Sequence, residues 1–211
     1  MTIETIGITP LLSITLAIPL AGVLLLLLIP REHAAAHRWT AFAVSVIAFA
    51  ASISVWRTFD PGLAGFQMVE DHAWLPFGAR YSVGIDGISL LLFMLTTFLT
   101  PVTLLGAFGA ITKRVKEFCI SMLLLEMSML GTLVALDLVL FYVFWEFMLI
   151  PMYLIIGVWG GERRVYAAVK FFLFTFVGSI LMLVGILYLH LKTGGESFGY
   201  LDFLKAGLSP A

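Results

Sequence analysis

The sequence predicts an all-α fold, a multi-pass bundle of about six membrane-spanning helices. Three observations predict it. First, 61% of the 211 residues are hydrophobic and the mean hydropathy is +1.07. Second, only 12% of the residues are charged, which is about half the share found in ordinary soluble domains. Third, the apolar residues form runs of roughly 20, the length that a helix needs to cross a bilayer.

Six apolar runs separated by polar connections are predicted to form these helices. They cover residues 8–30, 37–56, 85–110, 118–136, 138–159 and 165–191. The runs are too long for strands and lack the alternation of a membrane barrel. We expect residues 1–211 to form a single membrane domain, in which 57–84 is an ordered external loop over the bundle and 192–211 is an external tail.

The basic residues of the connections predict the orientation. The connections at 31–38, 111–117 and 160–164 carry seven Lys and Arg residues, against four on the other side. Loops rich in Lys and Arg stay in the cytoplasm. Both termini are therefore expected on the external side, which is the periplasm if the membrane is a bacterial inner membrane.

The composition excludes several other classes of function. A net charge of −1 provides no basic field for nucleic acid. The single cysteine, Cys119, cannot form an intrachain disulfide or a cysteine metal cluster. His33 and His37 have i,i+4 spacing, but they sit in or beside a short connection after Pro30 and make a poor metal site. No cofactor is therefore predicted to bind to this chain.

Three ionisable residues inside the predicted spans are the candidate functional residues: Glu126, Glu146 and Lys170. A carboxyl group at the bilayer centre costs about 2.5–3.5 kcal/mol on insertion scales, so it usually faces the bundle interior and marks an ion path. Two simpler roles stay open. Either glutamate could be a protonated group that hydrogen-bonds a neighbouring helix, and the lysine could reach the cytoplasmic interface.

The lysine is expected at a different depth in the membrane from the two glutamates. Glu146 lies thirteen residues before Trp159, so its Cα is about 20 Å from the inner end of the span. Lys170 lies about 7–8 Å from that end, so we expect a water-linked relationship rather than a direct ion pair. Glu126 also lies mid-membrane. Because burial disfavours the charged form of a carboxyl group, two such acids near a lysine form a switchable proton site.

Each of three spans contains a proline: Pro19, Pro101 and Pro151. A proline in a helix frees the carbonyl four residues earlier, and in lipid that carbonyl must find another partner. Around Pro101 the candidate donors are Thr96, Thr97, Thr100 and Thr103. The alternative is that these prolines only kink their helices.

Three stretches resemble a known family. They are "ALDLVLFYVFWEFMLIPMYLIIGVWGG" around Glu146, "AAVKFFLFTFVGSILMLVGI" around Lys170, and "YSVGIDGISLLLFMLTTFLTPV" before them. Together they resemble the antiporter-like membrane subunits of proton-pumping NADH:quinone oxidoreductase (respiratory complex I), of the subunit M or chain 4 type. The resemblance covers most of the chain and is clearest over residues 81–191.

The resemblance implies the antiporter-like fold and proton translocation in the membrane arm, beside adjacent antiporter-like subunits. NADH, FMN, the iron–sulfur clusters and the quinone would belong to other subunits. The essential buried glutamate of the family falls on Glu146 and its sixth-helix lysine on Lys170. Glu126 and Asp137 match positions that are often acidic, so all four are candidate proton-translocation residues.

Family members are considerably longer and contain a second inverted repeat. The chain is therefore expected to be the N-terminal portion of such a subunit. Two alternatives stay open. One is a subunit of a cation/proton antiporter or a membrane-bound hydrogenase, and the other is a non-catalytic structural or assembly fragment.

Overall fold

Six long helices dominate the structure, a computed structural model that describes residues 10–195 and 197–205. The helices are α1 (Leu11–Leu28), α2 (Ala34–Thr58), α3 (Gly87–Ala110), α4 (Val115–Val134), α5 (Leu138–Trp159) and α6 (Arg164–Lys192). Each is long and apolar enough to cross a membrane. The predicted fold class, an all-α transmembrane bundle, is thus confirmed.

The observed helix ends depart from the predicted ones by up to three residues. Helices α2 and α4 begin three residues earlier than predicted, at Ala34 and Val115. The added residues are three alanines in α2, which favour a helix, and Val115, Lys116 and Glu117 in α4. Residues 8 and 9 of the first predicted span lie outside the described residues, as do 196 and 206–211 of the predicted tail.

The external loop predicted at 57–84 contains secondary structure that the sequence analysis did not predict. Strands β1 (Gln67–Ala73) and β2 (Arg80–Ile85) form an antiparallel hairpin with an irregular register near Gln67. The hairpin packs against the ends of α1, α4 and α5. The predicted tail also contains a short helix, α7 (Tyr200–Lys205). Both elements lie over one end of the bundle.

The two ends of the bundle differ in their chemistry. Because the long helices alternate in direction, α1, α3 and α5 all begin at the end covered by the hairpin, which we call the hairpin face. The opposite end consists of the connections 29–33, 111–114 and 160–163, and we call it the basic face.

Acidic side chains cap every long helix that begins at the hairpin face. Glu70 of β1 accepts hydrogen bonds from two backbone N–H groups in the first turn of α1, at 3.1 and 3.2 Å. Asp86 caps α3 through a capping box with Ser89. Asp137 caps α5 by accepting from two backbone N–H groups at 2.9 and 3.1 Å. These caps satisfy N–H groups that a helix start leaves unpaired.

Basic side chains do the complementary work at the basic face. Lys116 donates to the carbonyl oxygens of Leu27 and Ile29 at the end of α1, at 2.9 and 2.7 Å. Arg38 donates to the carbonyl oxygen of Ile111 at the end of α3, at 2.8 Å. Acids at helix N-termini and bases at helix C-termini both interact favourably with the helix dipole. The charged side chains at each end of the bundle therefore stabilise the observed helix directions.

Helices α1 to α4 pack against one another, whereas α5 packs against α4 and α6. Two apolar clusters fill the four-helix part. The hairpin-side cluster includes Leu12, Val55, Phe93, Leu130 and Val134. The basic-side cluster includes Val23, Leu26, Ala41, Leu104 and Leu123. Over its most apolar stretch α4 is 56% buried, against 17% for α5 and 11% for α6. The core therefore lies in α1–α4, and α5–α6 form a pair on its side.

Candidate proton-translocation site

The central acid of the site is Glu146, two and a half turns into α5. It is half-buried, and its Oε1 is a buried oxygen with no hydrogen-bond partner among the described residues. Tyr142, one turn earlier on α5, lies near both Glu146 and Ser179 of α6. The carboxyl group therefore lies at the α5–α6 side of the bundle with one oxygen free to accept a proton.

A second acceptor lies at the same level of α5. Pro151 interrupts the helix, and a proline removes the hydrogen bond to the carbonyl four residues earlier. That carbonyl belongs to Phe147, the residue after Glu146. Two consecutive residues near the middle of the span thus carry an unpartnered carboxyl oxygen and a freed backbone carbonyl.

Lys170 lies closer to the basic face than Glu146 does. It is six residues after the start of α6 at Arg164, about 9 Å along the helix. Its side chain is exposed, and its Nζ lies 5.8 Å from the centre of the Tyr166 ring. Within the described part of the chain it forms no ion pair with an acid. The structure therefore does not bring Lys170 and Glu146 into direct contact.

Glu126 lies in a different environment, inside the α1–α4 bundle. Its side chain is completely buried, and neither carboxyl oxygen has a hydrogen-bond partner in the described residues. The hydroxyl of Thr100 on α3 lies beside it, but that hydroxyl donates its proton to the carbonyl oxygen of Thr96 at 3.0 Å. Burial this complete prevents Glu126 from touching an adjacent subunit.

Asp137 lies at the hairpin face, where both of its carboxyl oxygens have partners. Oδ1 caps α5, and Oδ2 accepts from the backbone N–H of Arg80 at 3.0 Å. The preceding residue joins the same junction, because the Leu136 N–H donates to Ser82 O and its carbonyl accepts from the Tyr200 N–H, both at 2.8 Å. Leu136 and Asp137 together therefore join β2, α5 and the start of α7, and Asp137 lies nine residues before Glu146.

Two groups of the hairpin have pKa values shifted by their surroundings. A 2.7 Å hydrogen bond to Asp71, together with the charge of that carboxylate, raises the pKa of the Arg80 guanidinium. Burial raises the pKa of the Tyr81 phenol, although a 2.6 Å hydrogen bond with Ser13 lowers it. Arg80 therefore stays cationic and Tyr81 neutral at physiological pH.

Some polar contacts of the bundle were not predicted from the sequence. Glu70 also accepts from the Ser13 hydroxyl at the start of α1, and Ser52 on α2 pairs with Thr97 on α3 at 2.8 Å. In the sequence, the Ser52–Thr97 contact was indicated by a serine and a threonine within otherwise apolar helices. In the ranges that the structure describes, no cluster of His, Cys, Asp and Glu could hold a metal ion.

Comparison with known proteins places this arrangement in a family. Residues 135–209 match the family described as "NADH:quinone oxidoreductase/Mrp antiporter, TM". Over 188 residues the chain is 49% identical to the NADH-quinone oxidoreductase subunit M of Rhodobacter capsulatus, covering 87% of this chain and 36% of that protein. The chain belongs to this family of antiporter-like membrane subunits.

Other antiporter-like relatives agree with this assignment. The chain is 42% identical over 185 residues to NADH-ubiquinone oxidoreductase chain 4 of Marchantia polymorpha, covering 87% of this chain and 37% of that one. It also matches a chain of respiratory complex I from Thermus thermophilus with a TM-score of 0.79 and 28% identity, covering 94% of this chain and 40% of that one. This antiporter-like chain spans less than half of the length of each.

Proposed function

We propose that this chain forms part of the proton-translocating membrane arm of an NADH:quinone oxidoreductase, where it couples quinone reduction to proton transport. The observation that carries the proposal is the position of Glu146. It is a half-buried acid in the middle of a membrane-spanning helix, with a buried oxygen that has no partner among the described residues. A carboxyl group at this depth costs free energy to insert, and such groups commonly mark ion paths.

In the proposed mechanism Glu146 exchanges a proton as the charge near it changes. A nearby cation favours the carboxylate, and withdrawal of that cation favours the protonated acid. Lys170 supplies a charge on the next helix and links the site to water at the basic face. Since the two Cα atoms differ in depth by about 11 Å, the connection runs through water or through a movement of the lysine side chain.

The other two candidate residues take supporting roles. Glu126 is a secondary proton site inside the α1–α4 bundle. Asp137 positions the start of α5, and so the height of Glu146 in the membrane, through its cap and its bond to the Arg80 N–H. The contacts of Asp137 favour this positioning role over direct proton transfer, because both oxygens are already occupied.

The redox groups and the partners follow from the same proposal. NADH, FMN, the iron–sulfur clusters and the quinone would be bound by other subunits, and adjacent antiporter-like subunits would pack beside this one. The basic face would lie in the cytoplasm, because Lys and Arg are concentrated in its connections. The hairpin face would lie on the external side of a bacterial inner membrane, or of the corresponding organellar membrane.

Replacement of Glu146 by glutamine in the assembled membrane complex tests the central role. The amide keeps the shape of the side chain but cannot exchange a proton. We expect NADH-driven proton pumping in vesicles to be lost, while NADH oxidation by an artificial acceptor stays at the level of the unmodified complex. Glu162→Gln, an exposed acid of the α5–α6 connection, is the matched control and should pump normally. Normal pumping by the Glu146→Gln complex would refute the proposed role.

A second candidate function is that of a subunit of a cation/proton antiporter, because the matched family includes Mrp antiporters. Vesicles that contain the complex distinguish the two functions. An imposed sodium or potassium gradient that drives proton movement without NADH supports the antiporter. Pumping that requires NADH supports the respiratory subunit. A chain that neither transports nor leaks protons when reconstituted alone, and restores neither activity in a complex, would be a structural fragment.

A further inference from the structure

The bundle around Glu126 contains hydrogen-bond acceptors but few available donors. The buried hydroxyls of α1, α3 and α4 each donate to a carbonyl of their own helix. The donors and acceptors are Thr15 to Leu11, Thr97 to Phe93 and Met94, Thr100 to Thr96, Ser121 to Glu117, and Ser128 to Leu124. Once its proton is committed, a hydroxyl can only accept. A group that donates a proton therefore fits among these hydroxyl oxygens.

Two prolines add backbone acceptors at the same depth. Pro19 of α1 and Pro101 of α3 are both buried, and each lies nine residues before the end of its helix at the basic face. They free the carbonyls of Thr15 and Thr97, and no side chain of the described residues donates to either. Glu126 lies eleven residues from the basic-face end of α4. At 1.5 Å per residue, all three positions fall within about 3 Å in depth.

Apolar residues close this layer from both sides. The hairpin-side cluster lies between the layer and the hairpin, and the basic-side cluster lies between it and the basic face. Thr97 and Thr15 are almost completely buried. The polar layer is therefore cut off from water at both ends of the bundle.

No cation in the described residues neutralises Glu126. Helices α1 and α3 contain no ionisable side chain. The ionisable groups of the other packed helices are His37, Arg38 and Arg57 near the ends of α2, Lys116, Glu117 and Cys119 in the first turns of α4, and Tyr142, Glu146 and Tyr153 on α5. Each cation lies near a helix end, several turns from Glu126. An isolated carboxylate in such a place has neither a counter-ion nor a hydrogen-bond donor.

We propose that Glu126, Thr100 and the carbonyl freed by Pro101 form an occluded proton-binding site inside the α1–α4 bundle. Glu126 holds the proton as a carboxylic acid and donates it to one of these acceptors. This deepens the secondary role assigned to Glu126 above, but the site exists whether or not Glu146 transports protons. The bound proton links α4 to α3 and exchanges with water only when the bundle opens.

Infrared spectroscopy of the protein in lipid vesicles at neutral pH tests this site. A protonated carboxyl group gives a carbonyl band that a carboxylate lacks, and ¹³C labelling of glutamate identifies the band as glutamate. We expect such a band in the unmodified protein and in Glu146→Gln, and its loss in Glu126→Gln. After transfer to D₂O the Glu126 band should shift much more slowly than a band from a water-accessible acid.

Thr100→Val keeps the shape of the acceptor side chain but removes its oxygen. We expect the glutamate band to remain and to move to higher frequency, because the acid loses an acceptor. This variant keeps the test decisive if Glu126→Gln does not fold. A slowly exchanging glutamate band that persists in the Glu126→Gln/Glu146→Gln double variant, or an unmodified protein without a protonated glutamate, overturns the proposal. A band that disappears when sodium replaces potassium also overturns it, because the layer would then bind a metal cation instead of a proton.

Discussion

The α1–α4 bundle and the α5–α6 pair place an acid at similar depth in opposite surroundings. Glu126 in the bundle is completely buried beneath two apolar clusters. Glu146 in the pair is half-buried, on a helix whose apolar stretch is only 17% buried. The packing around the carboxyl group thus differs between the two regions, from complete enclosure at Glu126 to partial exposure at Glu146.

This difference teaches that a carboxyl group in a membrane span is not by itself a transport residue. A buried acid among committed hydroxyls and freed carbonyls has a stable use as a donor, which requires no proton movement. An acid on a loosely covered helix can meet water, a lysine or another subunit as its surroundings change. We therefore propose proton exchange at Glu146 and proton retention at Glu126.

The largest expected difference between the two regions is their tolerance of a large side chain. Glu126→Trp should prevent stable folding, because the enclosed bundle has no space for the ring and overpacking there exceeds about 3 kcal/mol. Glu146→Trp should fold, because its position is half-open. Yield and thermal unfolding of the detergent-solubilised protein measure both. Equal stability of the two variants would show that the bundle is not tightly packed around Glu126.

A smaller effect comes from adding one methyl group to a glycine in each region. A Cβ at Gly22 of α1 would lie 2.5 Å from a methyl group of Val44 and 2.9 Å from one of Leu123. Gly22→Ala should destabilise the bundle by about 1–3 kcal/mol, since a β-branched valine moves little.

The matched control is Gly178→Ala on α6, where a Cβ meets nothing within 4 Å. It should leave stability unchanged or raise it by up to about 1 kcal/mol through helix propensity. Thermal unfolding of the two variants side by side makes the comparison. If Gly178→Ala is as harmful as Gly22→Ala, a partner covers α6 closely.

The sequence predicted the spans well and the packing poorly, for a physical reason. Apolar runs mark every span, but the helices are apolar nearly all round, so periodicity does not show that Glu126 faces the bundle and Glu146 its side. The hairpin was missed because β1 reads "QMVEDHA", whose charged residues hide a strand. The family resemblance indicated Asp137 as an acidic position, but its bond to the Arg80 N–H depends on a fold that brings β2 beside α5.

The smallest expected effect on stability comes from removing the hydrogen bonds that hold the start of a helix at the hairpin face. Asp137→Ala removes the acceptor of two backbone N–H groups at the start of α5 and of the Arg80 N–H of β2. Loss of an N-cap costs about 0.5–2 kcal/mol. Because α5 and α6 have few buried residues to compensate, we expect this loss to open the first turn of α5 locally. Amide hydrogen exchange at Val139 and Leu140 measures the opening.

The bundle provides the internal reference for that measurement. The first turn of α1 is capped separately by Glu70 and packed into the hairpin-side cluster. Its amides should therefore keep their protection in Asp137→Ala. Equal loss of protection in α1 and α5 would mean that the hairpin opens as one unit and that the first turns of the two helices open together. Protection lost only in α5 means that Asp137 anchors the helix carrying Glu146 independently of the bundle that holds Glu126.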